Sequence, residues 1–102
     1  PENDCHFEHA ITYRVGRALT RKTKISLIEY NTPSADHTWN PNLYVDITDV
    51  YQEKKQRLKV FDTQKTRKYF DSNSVDSFHT NYFCNKRQYG HTEMFRVNFM
   101  FL

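Results

Sequence analysis

Between Phe7 and Leu19 the apolar residues Phe7, Ile11, Val15, Ala18 and Leu19 recur at spacings of four, four, three and one, a single stripe along an α-helix and the face expected to turn inward. Asp4 stands ahead of it as the expected N-cap. Arg17, Arg21, Lys22 and Lys24 gather at and beyond its end, where cations complement the negative end of the helix dipole. Ile25-Ser26-Leu27-Ile28-Glu29-Tyr30 is short and bulky and runs into Asn31-Thr32-Pro33, which predicts a largely buried strand closed by a turn. Leu43 to Ile47 predicts a second strand. Thr48 or Asp49 then caps a helix reaching about Phe61, with Val50, Tyr51, Leu58 and Phe61 inward, and Asp49 with Gln52 forms a variant capping box. Val75, Phe78, Tyr82 and Tyr89 mark a third helix, capped by Ser74 and closed by Gly90. Finally Phe95, Val97, Phe99 and Phe101 alternate with Met94, Arg96, Asn98 and Met100, the period of a strand. About three strands and three helices in mixed order predict an α/β domain.

Composition narrows the class without naming a chemistry. A chain of 102 residues suits one domain, 1–102, with a modest core. Its aromatic content of 16 % supports a folded reading despite the polar average. Fifteen Lys and Arg against twelve acidic residues give a formal charge of +3, short of the basic loading of nucleic-acid binders. Cys5 and Cys84 are the only cysteines and lack CxxC spacing, so a disulfide framework or a four-cysteine zinc site is not supported, and a reducing cytoplasmic setting is expected. No long apolar segment predicts a membrane span. Pro1 at the start and the apolar Phe99-Met100-Phe101-Leu102 at the close read as cut ends, so a missing N-terminal half is the expected partner of this chain.

The candidate chemistry is concentrated in Asp4-Cys5-His6-Phe7-Glu8-His9. Residues three apart share a helix face, so His6 and His9 can point into one cleft, with Glu8 offset to brace a ring nitrogen. Two imidazoles supply at most two of the three protein ligands that a catalytic zinc takes; the plain alternative is a helix start with two surface histidines. In the loop Asn31 to Asn42, His37 and Trp39 could face a sugar or another flat ligand, but Trp39 is read first as an anchor for the loop. The run Glu53-Lys54-Lys55-Gln56-Arg57-Leu58-Lys59, continued by Lys65, Arg67 and Lys68, is the best nucleic-acid patch. It is read as a solvated helix face, because acidic residues interrupt it and no aromatics alternate with it. His79 has nothing beside it in sequence to complete a site and is read as a surface or half-buried histidine.

Three separated segments fall in the order of one family. Asn3 to His9 resembles a His-x-Asp-His motif; Tyr44-Val45-Asp46-Ile47-Thr48, then Lys54, then Thr63-Gln64, is similar to a "VDIT, Lys, Ser-Gln" block; and Arg87-x-x-Gly90 with Glu93-Met94-Phe95 is similar to "Arg-x-x-Gly … Ala-Glu-x-Phe". The resemblance is to the C-terminal half of PIG-L or LmbE-like zinc-dependent N-deacetylases. It implies hydrolysis of an N-acetyl group on an N-acetylglucosamine-type substrate by a zinc-bound water, within a Rossmann-like three-layer α/β fold built on a parallel sheet. It also implies that His9 is a metal ligand, that His6 stabilises or protonates the tetrahedral intermediate, and that Glu8 orients His6. The other two ligands and the general base belong to a His-Pro-Asp-Asp-Glu motif that these 102 residues do not contain, so the chain by itself is expected to be inactive and its parent active. Phe7 stands where the family has a small residue or proline, Glu8 where it has Asp, and Thr63 where it has Ser. The alternatives are a small basic nucleic-acid-binding module and a non-catalytic interaction domain; nucleic acid is not expected as a partner.

Overall fold

The computed structural model describes residues 1–61, 63, 66–68, 71–80 and 90–102, with Ser72 by its backbone alone. Among these residues are three α-helices and three strands, α1 (Phe7–Thr20), β1 (Leu27–Tyr30), β2 (Leu43–Asp46), α2 (Tyr51–Leu58), α3 (Ser72–His79) and β3 (Thr92–Phe99). The mixed α/β class is as the periodicity predicts. The strands form one antiparallel sheet in the order β1-β3-β2, where the resemblance implies a parallel one. Parallel neighbours need a crossover connection; here the last strand of the chain slots between the two earlier ones. Leu27 lies opposite Phe99, Ile28 opposite Val97, Glu29 opposite Arg96 and Tyr30 opposite Phe95.

Two compact units divide the chain, residues 1–44 with 94–102 (unit 1) and residues 45–93 (unit 2). In unit 1, α1 meets β1 through the face that carries Tyr13 and Gly16, not through the predicted stripe. Tyr13 is buried, whereas Phe7 is 74 % exposed and Ile11, Val15 and Leu19 are exposed with it. Gly16 explains the choice: a Cβ built there would lie 2.9 Å from a Leu27 methyl, so the missing side chain is what lets the helix come this close to the strand. Inside β1 the Glu29 carboxylate is buried. It accepts the Glu2 backbone N–H at 2.8 Å and the Asn98 amide at 2.6 Å, with the Arg96 guanidinium 3.7 Å away, the pairing a buried charge requires. Trp39 is buried, as a loop anchor would be, and its indole N–H has no hydrogen-bond partner among the described residues. Just before β2, the Asn42 side chain takes the place of a strand: its amide donates to the Val97 carbonyl at 3.2 Å and its oxygen accepts the Val97 N–H at 2.7 Å.

Unit 2 has a small apolar centre of Ile47, Tyr51 and Val75, with Leu58 packed against it. Asp46 organises the entry to α2, because its Oδ1 accepts both the backbone N–H (3.0 Å) and the hydroxyl (2.6 Å) of Thr48. A single 3-10 turn, Thr48–Val50, follows before α2 begins at Tyr51, so the expected helix is shorter at both ends. Val50 and Phe61, predicted inward, are exposed. The cap of α3 is Asp71 and not Ser74: its Oδ1 accepts the N–H groups of Asn73 and Ser74 at 2.9 and 3.0 Å. A carboxylate at the N-cap satisfies two otherwise orphaned donors at once. Tyr82, Tyr89 and the rest of the longer helix expected there lie outside the described residues.

Candidate functional site

The histidine motif is set by the backbone that precedes it. Cys5 donates its N–H to the Ser34 carbonyl at 2.9 Å, Asp36 donates to Asn3 at 2.6 Å, and Asp4 bridges to Ala35 between them. This short ladder fixes Asp4 with its side chain fully enclosed. Oδ1 accepts the His6 backbone N–H at 2.8 Å, while Oδ2 accepts the Thr32 hydroxyl at 2.6 Å and lies 2.9 Å from His9 Nδ1. Asp4 is therefore a local anchor for the helix start, and His6 occupies the N-cap position without a side-chain cap bond. Burial works against charge on Asp4, but hydrogen bonds from Thr32, Ser34, the His6 backbone and His9 outweigh it and hold the carboxyl well below the usual carboxylate range. An ionised Asp4 only accepts, so the proton between it and His9 sits on His9 Nδ1, and in the neutral imidazole the lone pair then falls on Nε2.

His6 and His9 do come together, as their spacing predicts. Their rings stack with centroids 4.5 Å apart and planes 25° from parallel, and the His9 side chain keeps 37 % of its surface open. The brace on the pair is Asp4. Glu8 is exposed and its carboxylate makes no hydrogen bond or ion pair among the described residues; one helical step from His9, it sits on a different face of α1. The Asp4 signal was present in sequence, five residues before His9, but read as a helix cap. His37 is almost wholly exposed and pairs with Asp36 at 3.2 Å. Among the described residues no three His, Cys, Asp or Glu are grouped to hold a metal ion.

A second polar cluster lies within unit 2. Lys54 from α2 and Glu93 from β3, both in the segments that carry the resemblance, form an ion pair. Lys54 Nζ also lies 2.6 Å from His79 Nε2, and His79 Nδ1 is 2.7 Å from the Val75 carbonyl. His79 is buried, against the surface or half-buried reading. Its position four residues after Val75, on the same face of α3 as that core residue, is the sequence signal for this. Tyr51 donates its hydroxyl to Asp76 at 2.6 Å and stacks on His91 with centroids 3.7 Å apart. Burial, with the Asp76 charge beside it, pushes the Tyr51 hydroxyl far above its ordinary value.

A cleft of about 390 Å³ opens in unit 2, walled by Ile47, Val50, Leu58 and Phe61 and edged by Lys54, Glu93, Glu53 and Arg57. It contains none of His6, Glu8 or His9. The basic run on α2 is extensively paired: Lys54 with Glu93, Lys55 with Asp76 at 2.9 Å and Arg57 with Glu53 at 2.5 Å. Gln64, Lys65, Cys84 and Arg87 lie outside the described residues, and Thr63 is exposed. Among the described residues no helix is long and apolar enough to cross a membrane. No protein-family model, curated protein or solved structure matches the chain.

Proposed function

We propose that this chain carries the histidine arm of a zinc-dependent N-deacetylase whose substrate is an N-acetylglucosamine-type amino sugar, the remaining two ligands and the base coming from the parent protein. One observation carries the reading: Asp4, ionised and enclosed, holds His9 by Nδ1 and leaves Nε2 on a half-open ring. A carboxylate on the far nitrogen is the usual support of a metal-bound histidine, because it fixes the tautomer and raises the basicity of the ligating nitrogen. The residues present therefore fit one arm of such a site, and His9 is the residue that would hold zinc. When bound, zinc supplies a water acidified to near neutrality.

In this reading the chain's own residues hold and move protons. Asp4 keeps the His9 proton on Nδ1. His6, stacked on His9, is placed to hand a proton to the departing amine. The exposed stripe of Phe7, Ile11, Val15 and Leu19 supports the same reading, since it is the kind of surface that the rest of a larger domain would cover. The parent would then be a cytoplasmic Rossmann-like three-layer fold, with the antiparallel β1-β3-β2 set as the edge of an otherwise parallel sheet, a common mixture.

The test is metal and activity in the parent protein. His9→Ala should abolish both stoichiometric zinc and deacetylation, whereas the 102-residue chain alone should hold no stoichiometric zinc. Unchanged zinc and activity in His9→Ala would overturn the assignment. The nucleic-acid alternative predicts salt-dependent affinity for oligonucleotides, and the carboxylate partners of Lys54, Lys55 and Arg57 reduce the charge it would draw on.

A further inference from the structure

We propose that Lys54, His79 and Glu93 form an acid-release latch within unit 2: neutral His79 accepts a hydrogen bond from the Lys54 ammonium at Nε2, and a proton arriving at that nitrogen parts α2 from α3. The tautomer follows from the partners. The Val75 carbonyl, 2.7 Å from Nδ1, can only accept, so Nδ1 carries hydrogen. The Lys54 ammonium, 2.6 Å from Nε2, can only donate, so Nε2 offers a lone pair. No site for a second proton is left. A proton at Nε2 would face an ammonium at hydrogen-bond distance, two donors and two positive charges, with the imidazole itself buried and the Lys54 side chain 30 % exposed.

The surroundings of His79 are asymmetric. Burial is the largest influence and favours the neutral ring; the Val75 carbonyl favours the charged one; the Lys54 charge opposes a proton, the Glu93 carboxylate favours it, and His91 opposes it. The Tyr51 and Phe78 rings, with centroids at 5.5 and 5.4 Å, add apolar surface. Asp76, the carboxylate on α3, is engaged by Tyr51 and Lys55. The balance lowers the His79 pKa below its ordinary 6.5. Folded unit 2 then binds fewer protons than its unfolded chain. The latch is fully present above the unfolded value and is lost as pH falls below it, with the opening equilibrium rising by up to about tenfold per pH unit until the folded ring takes its proton. Lys54 and Glu93 also edge the cleft of unit 2, so release alters its wall.

The experiment uses the full chain labelled with 15N, taken from about pH 7.5 to about pH 4.5. At the upper limit His79 should show a protonated Nδ1 and a bare Nε2; the opposite tautomer overturns the latch. Amide exchange in residues 51–58 and 72–79, corrected for its intrinsic pH dependence, should accelerate by up to about tenfold per unit below 6.5, and a flat profile overturns it. Lys54→Met removes the opposing ammonium and should raise the pH at which the acceleration levels off, leaving only the part due to burial; an unchanged profile assigns the effect to burial alone and overturns the latch. His91→Gln should leave the slope in place, and its loss there would move the titration to His91 and sink the proposal. These measurements decide the matter even if His79→Gln does not fold.

Discussion

Residues 1–44 with 94–102 and residues 45–93 hold their structure by different means. In the first unit the enclosed carboxylates of Asp4 and Glu29 collect donors from segments far apart in sequence, while the most regular apolar stripe, on α1, faces outward. In the second, Ile47, Tyr51 and Val75 pack together and the polar side chains Lys54, His79 and Asp76 close around them. Directional bonds specify a geometry but contribute modestly to net stability, about 0.5–1.5 kcal/mol each. Apolar burial contributes roughly 25 cal/mol per Å² and specifies less. The first unit is thus shaped by its hydrogen bonds, with apolar area still open to a partner; the second is stabilised by packing and tuned by charge.

The largest way to break this contrast is Tyr51→Ala, which empties the centre of unit 2. It should cost roughly 3–5 kcal/mol, as loss of a buried aromatic does, seen as faster amide exchange throughout α2 and α3 and not in α1. Asp4→Ala is the counterpart in unit 1. It strands the Thr32 hydroxyl, the His6 N–H and the His9 Nδ1–H, and should cost about 1–3 kcal/mol with exchange confined to residues near α1 and the loop after β1; equal loss in both units would show that they do not behave separately. Tyr51→Phe removes only the hydroxyl bond to Asp76 and should cost about 1 kcal/mol.

Acid sharpens the same contrast. Asp4 has a depressed folded pKa, so its contribution is present above the unfolded value of 3.8 and is lost as pH falls below it. Unit 2 should therefore loosen first on acidification and unit 1 only near pH 4 and below, read by resolved amide exchange. Val15→Lys, on the open stripe, should be nearly silent in this chain, within about 0.5 kcal/mol, yet should weaken zinc retention in a parent that covers that stripe.

Much of the fold was legible because each element carries its own period. Phe7 to Leu19 announced α1, and the alternation from Phe95 marked β3. What the pattern could not say is which face meets a neighbour. Gly16, a residue with no hydrophobic signal, decided that by allowing close approach to Leu27. Strand pairing was hidden for a similar reason: periodicity along β3 contains no information about whether β1 runs with it or against it. At the candidate site, the His6 and His9 pairing was readable from a spacing of three. The Asp4 to Thr32 contact was not, because it spans 28 residues and depends on an isolated β-bridge between Asp4 and Ala35 that no local pattern encodes.

Asn42 has a consequence for how the chain behaves in company. Both main-chain groups of Val97 that would invite an incoming peptide are occupied by one side-chain amide. Exposed ladders are where foreign strands attach and fibres begin. A single asparagine therefore fills the place of a neighbouring backbone along that stretch of β3, and trimming it to alanine should leave both Val97 groups open to another donor and acceptor.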